Sequence, residues 1–218
     1  MRPTDISAKH RRLPSLLLVV GTALTISACS TNEVQLPTAT LTPSITTTPA
    51  DYLYLVGPYD DLDIFVWGNP EISGSFQVRP DGMISTKLVE DIPVSGRTPT
   101  QIARIVEKEL AQFIRDPIVT VIPEDFLGPY SEQVRIIGEA SAPKAISYAK
   151  KMTLLDVMIE VGGLSEFAAG NSASLIRIID GQQQPYTVRL EDLVKNGDIT
   201  ANVDILPGDI IIIPEAWF

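Results

Sequence analysis

An α+β fold of small mixed sheets, each with a packed helix, is predicted by three features of this 218-residue sequence. Short runs of β-branched and aromatic residues recur between Gly, Pro and Asp turns. Two segments instead carry apolar residues at helical spacing behind a recognisable N-cap. The two kinds of segment interleave in both halves of the chain, which favours mixed sheets over separate all-α and all-β parts.

The first half begins at Asp51. "YLVGPYDDLDIFVW" reads as a strand, a Gly57-Pro58 turn and a second strand from Leu62 to Trp67. "FQVRPDGMIST" reads as a hairpin about Pro80-Asp81-Gly82, because Pro presets φ and Gly supplies the left-handed position. "RTPTQIARIVEKELAQFIRDP" is a helix: Thr98 is the N-cap, Pro99 stands at the first helical position, Gln101 completes a capping box and Pro117 ends it. Ile102, Ile105, Val106, Leu110, Phe113 and Ile114 fall on one face, with Arg104, Glu107, Lys108 and Gln112 mainly opposite. "IVTVIP" is the returning strand.

The second half repeats this grammar. "EQVRIIGEA" and "KAISY" are strands, and "KMTLLDVMIEVGGLS" is a helix capped by Thr153 and Asp156 and closed by Gly162-Gly163. "SLIRII" and "PYTVRL" flank an Asp180-Gly181 turn, a short helix covers about Glu191 to Lys195, and Pro207-Gly208-Asp209 introduces the last strand, Ile210 to Ile213.

Ahead of these lies a different texture. Lys9, His10, Arg11 and Arg12 precede an apolar run from Leu13 to Ala28, shorter than the ~20 residues of a typical membrane span. Ile26-Ser27-Ala28-Cys29 fits a bacterial lipobox, so Cys29 is expected to be the lipid-attachment residue and the new N-terminus; the competing reading is a stop-transfer anchor with an incidental cysteine. Residues Ser30 to Ala50 are dominated by Thr, Pro and Ser and read as a tether. The expected organisation is a signal peptide over 1–28, a tether over 29–50, a first domain over 51–126 and a second over 127–218.

Processing changes the balance of side chains. The leader carries Arg2, Lys9, Arg11 and Arg12 against Asp5, so 13 of the 17 Lys and Arg and 26 of the 27 Asp and Glu stay with the processed chain. Such acidity excludes nucleic acid as a partner. His10, the only histidine, leaves with the leader, and Cys29, the only cysteine, is capped by lipid. Without imidazole or free thiol, Ser-His and Cys-His catalysis, the usual zinc sites and disulfides are excluded; carboxylate-only chemistry survives.

Four further features bear on possible sites. Asp60, Asp61 and Asp63 could bind calcium or act as a catalytic cluster, yet alternating carboxylates at a turn-strand junction ordinarily face water. Gly162-Gly163 follows its helix and so reads as a C-cap rather than a phosphate loop. Trp67 and Trp217 could stack on sugar, with a core or interface role preferred. Apolar strand edges in sheets this small call for cover by neighbouring subunits. No catalytic residue, metal ligand or cofactor is assigned.

From Tyr52 onward the chain resembles a known family. "YLVGPYDDLDIFVW", "FQVRPDGMIST", "IPVSGRTPTQIARIVEKEL" and "RDPIVTVI" are similar to the polysaccharide export domain of outer-membrane polysaccharide export proteins. "VRIIGEASAPKAISYAKKMTLLDVMIEVGGLSEFA" and "VRLEDLVKNGDITANVDILPGDIIIIPEAWF" resemble the β-grasp SLBB domain that follows it, in the short form of exosortase-associated exopolysaccharide systems. Pro58-Tyr59-Asp60 stands where the family usually has Pro-Gly-Asp, and Ala142-Pro143-Lys144 where it often has Pro-Gly. The resemblance implies a non-enzymatic lipoprotein on the periplasmic face of the outer membrane, assembled as a homo-oligomeric ring for exopolysaccharide export and docked on an inner-membrane chain-length regulator. After Ile213 only Pro214 to Phe218 remain, too few to span a bilayer, so a separate outer-membrane β-barrel is expected as partner. A periplasmic lipoprotein whose β-grasp domain binds a small soluble ligand or glycan is the alternative, and a glycan-modifying enzyme a more distant one.

Overall fold

The computed structural model describes Ala39 and residues 42–217. The expected signal peptide, Cys29 and most of the expected tether lie outside the described residues.

The first domain is built on β1 (Asp61–Val66), with β2 (Gly74–Gln77) antiparallel on one side. β3 (Met83–Ile84) and β4 (Ile92–Pro93) form a separate two-stranded ladder. α1 (Pro99–Leu110) then leads to β5 (Val119–Pro123), which returns antiparallel along the other side of β1. Thr98 and Gln101 form the expected capping box, satisfying two otherwise orphaned N–H groups. Alternation decides what is buried: Leu62, Ile64 and Val66 of β1 meet Ile102, Val106 and Leu110 of α1 and Val119 and Val121 of β5 in one core.

The second domain has its own core. β6 (Gln133–Gly138) and β7 (Ala145–Ser147) form a hairpin, α2 (Leu154–Glu160) crosses the sheet, and β8 (Ala173–Ile179) and β9 (Gln182–Val188) form a second hairpin through Asp180 and Gly181. After α3 (Leu190–Val194), β10 (Ile210–Ile213) enters between the hairpins, parallel to β6 and antiparallel to β8. The order β7-β6-β10-β8-β9 is the β-grasp arrangement, so the α+β class with a β-grasp second half is what the chain adopts. Ile211 and Ile213 join Val134, Ile136 and Leu175 in the core with Leu154, Val157 and Met158 of α2.

Local expectations fail in three places. Tyr52–Val56 pairs in no ladder; Val56 instead exchanges backbone hydrogen bonds with the turn at Gly96 and Arg97. The expected hairpin around Pro80-Asp81-Gly82 is reduced to its turn, because β2 pairs with β1 and β3 with β4, so its two arms belong to different sheets. α1 ends at Leu110, well before Pro117: Phe113 and Ile114 donate back to the Leu110 carbonyl in a tightened turn, and Phe113 leaves the apolar face and is exposed. Among the described residues, no helix is long and apolar enough to cross a membrane.

Candidate functional site: the joint between the domains

Asp60 is fully buried at the start of β1. Its Oδ2 accepts the Gly57 N–H at 2.8 Å and the Tyr54 hydroxyl, and its Oδ1 accepts the N–H groups of Leu127 at 2.9 Å and Gly128 at 3.1 Å. Those last two donors belong to the segment that connects the domains, so one carboxylate ties the entry of β1 to the exit of the first domain. A carboxylate with four donors has no free lone pair to offer a metal or a proton relay. Burial, together with the hydrogen bond to Asp60, holds the Tyr54 phenol well above its ordinary range.

The backbone around Asp60 is fitted to this role. Gly57 lies against Gly128 so closely that an added Cβ would fall 2.1 Å from the Gly128 carbonyl carbon. Tyr59 takes φ = +73°, the left-handed conformation that glycine adopts without steric cost, so the Pro-Tyr-Asp turn keeps the geometry of a Pro-Gly-Asp turn despite its side chain. At Ala142-Pro143-Lys144, by contrast, none of the three residues has positive φ.

The second domain uses the same device. In Leu206-Pro207-Gly208-Asp209, Gly208 has φ = +84°, Asp209 is fully buried, and its Oδ2 accepts the Leu206 N–H at 2.8 Å, as Asp60 does from Gly57. Both turns launch a central strand. Here the remaining acceptors go to Arg177, whose Nε and guanidinium NH2 donate at 2.9 and 2.7 Å. Asp209 holds the Arg177 guanidinium above its ordinary value.

Residues 44–46, at the end of the expected tether, are held against the second domain. The Ser44 hydroxyl donates to Glu132 Oε2 at 2.8 Å, its Oγ accepts the Thr46 N–H at 3.0 Å, and Thr46 is buried. Burial raises the Glu132 carboxyl above its usual range, opposed by the hydrogen bonds it accepts. Tyr52 packs edge-on against Tyr148 of the second domain, 4.7 Å between centroids, and burial with the nearby Glu132 charge pushes its phenol up to about 12.

The structure separates the residues singled out from sequence. Of the acidic trio, Asp60 does not face water as expected but is the buried joint, because four donors converge on it; Asp61 and Asp63 are half-buried on the outer face of β1. Among the described residues, no group of three His, Cys, Asp or Glu side chains could hold a metal ion. Gly162 and Gly163 cap α2, the Gly163 N–H reaching the Met158 carbonyl at 2.8 Å with both φ positive. Neither tryptophan enters a core: Trp67 is 68% and Trp217 99% exposed. Trp67 lies edge-on to Phe65 on the outer face of the first sheet, which also carries exposed Ile118 and, opposite Asp63, Ile122.

Exposed apolar side chains thus stand on the outer face of the first sheet, whereas the edge of that sheet at β5 is capped. At the β5 edge, Glu107 accepts the Val119 N–H at 3.0 Å, Arg104 donates to the Val119 carbonyl at 3.2 Å, and Pro123 has no N–H to offer. Sequence reasoning missed this edge cap and the Asp60 joint. The local signal for the joint is weak: of the five Pro-x-Asp tripeptides in the sequence, those at 58–60 and 207–209 stand directly before strands.

Comparison with known proteins matches this architecture in order. A family model described as "Polysaccharide biosynthesis/export protein" matches residues 48–123, and one described as "SLBB domain" matches residues 132–213. The chain is 29% identical over 163 residues to the EPS I polysaccharide export outer membrane protein EpsA of Ralstonia nicotianae, covering 74% of this chain and 41% of that protein. It is 28% identical over 171 residues to the capsule polysaccharide export outer membrane protein CtrA of Neisseria meningitidis, covering 70% and 42% respectively. The polysialic acid transport protein KpsD of Escherichia coli is 23% identical over 160 residues, covering 73% of this chain and 28% of that protein. This chain thus spans about two fifths of EpsA and CtrA and less of KpsD. With the two family models matched in succession over most of the described residues, the chain belongs to the outer-membrane polysaccharide export family.

Proposed function

We propose that this protein is a periplasm-facing, outer-membrane lipoprotein that assembles into a ring and serves as a conduit or gate for exopolysaccharide export. The observation that carries the reading is the succession of the export and SLBB domains, joined through Asp60. The exposed apolar face around Phe65 and Trp67 supports assembly, since such a face is covered at modest cost by another copy. In this reading Cys29 carries the lipid, an inner-membrane chain-length regulator docks from below, and a separate β-barrel completes the path across the outer membrane. The role is not catalytic: the two fully buried aspartates are committed to the fold, and an open lumen suits a sliding glycan better than a deep pocket does.

The test is the mass of the native particle solubilised from membranes, with Cys29→Ser alongside. A multiple of the processed chain mass, and loss of both processing and fatty-acid labelling in the variant, are expected. A strictly monomeric particle would overturn the ring, and labelling that persists in Cys29→Ser would overturn the anchor.

A further inference from the structure

Among the described cations of this acidic protein, one has a guanidinium nitrogen buried without a hydrogen-bond partner. Arg79, Arg104, Arg177 and Arg189 each pair with a carboxylate, and Arg97 donates to the Pro93 carbonyl. Arg135 forms no salt bridge among the described residues, and its Nε is buried without a hydrogen-bond partner. A desolvated guanidinium N–H with no acceptor is costly, and the fold keeps it although acidic residues outnumber basic ones 27 to 17.

Its surroundings are those of a binding cleft. Arg135 sits in the middle of β6, on the face opposite the core residues Val134 and Ile136. It lines an open cleft of about 300 Å³ between the two domains, to which Pro58 and Ser95 of the first domain, Tyr130 and Ser131 of the connecting segment and Ile178 of β8 also contribute. Among the described residues, no carboxylate lines this cleft. Tyr130 is 64% exposed, leaving its ring accessible, and the two serines offer hydroxyls.

From this we infer that the cleft at Arg135 binds a carboxylate-bearing sugar unit of an acidic polysaccharide. The inference rests on the export reading above and names the class of glycan. The guanidinium fork fits a carboxylate bidentately through its terminal nitrogens, the buried Nε being out of a ligand's reach. An aromatic ring takes the apolar face of a pyranose, and serine hydroxyls pair with sugar hydroxyls. The surrounding negative charge keeps the contact weak, with Kd on the order of 1 mM, so that an acidic chain is registered without being trapped. A neutral sugar brings no counter-charge to the guanidinium, which is the source of selectivity.

The experiment uses the full-length protein in detergent, with binding of hexagalacturonate and of neutral cellohexaose followed by ligand-observed NMR at low salt. Hexagalacturonate is expected to bind at least tenfold more tightly than cellohexaose, and Arg135→Gln to abolish that preference. Because Arg135→Gln disturbs a strand, Tyr130→Ala is measured beside it; this exposed change leaves the fold intact and should weaken both sugars severalfold. Equal binding of the two sugars, no binding of hexagalacturonate, or full binding by a folded Arg135→Gln variant would overturn the assignment. A change in particle mass on Arg135→Gln without saccharide binding to the parent protein would overturn it too, giving the arginine to a protein interface. The export reading is tested separately in a deletion strain. Normal glycan export there defeats that reading, whereas export restored by the parent protein and by Arg135→Gln alike, with no hexagalacturonate binding, defeats only the cleft.

Discussion

Asp60 shows how much one side chain can organise. Replacing it with Ala leaves three backbone N–H groups and the Tyr54 hydroxyl without their acceptor, so Asp60→Ala should cost about 3 kcal/mol or more. Tyr54→Phe removes one donor and leaves the other three in place, and should cost about 1 kcal/mol. Urea unfolding of the two variants measures both. Glu132 gives a pH signature. Its folded value is raised above the ordinary 4.5, so the folded state holds the proton more tightly. Its stabilising contribution is therefore fully present below 4.5 and is lost as pH rises through the folded value. Glu132→Gln should lack this component, and stability curves for the two proteins that stay parallel above pH 4.5 would refute the assignment.

At the scale of elements, the two faces of the three-stranded sheet make opposite predictions. Ile102 of α1 is fully buried against the inner face, and Ile102→Ala should cost about 2–5 kcal/mol. Trp67, on the outer face and largely exposed, should tolerate Trp67→Ser within about 0.5 kcal/mol in stability. If a neighbouring copy covers that face, the same substitution should lower self-association in light scattering while the denaturation midpoint stays put. The helices were readable from sequence because caps act locally: Thr98 and Gln101 are three residues apart, and so are Thr153 and Asp156. Strand partners were not, because β2 and β3 are near neighbours in sequence yet pair in different ladders.

For the whole molecule, the joint predicts coupled unfolding. Two separate hydrophobic cores would ordinarily melt apart. Here the connecting segment donates to Asp60 of the first domain, while Tyr52, at the start of that domain, packs on the core of the second. Calorimetry of the intact protein should show one transition, and Asp60→Ala should split it into two; two transitions in the unmodified protein would remove the joint's energetic role.

Sequence by itself determined what depends on neighbours along the chain. The α+β class, the helix caps and the Gly162-Gly163 stop follow from local spacing, and the family is carried by the order of such motifs. Tertiary structure decided the meaning of residues whose partners are distant. Asp60 reads locally as one of three solvated acids, and becomes a buried joint only because the N–H groups of Leu127 and Gly128, 67 and 68 positions away, are folded back onto it. Arg135 reads as a polar residue within a strand, and its buried Nε is left without a partner only because the described residues that fold around it bring no carboxylate. Periodicity reports which face a side chain occupies; whether that face meets a partner, water or nothing is fixed by chain segments that local spacing does not encode.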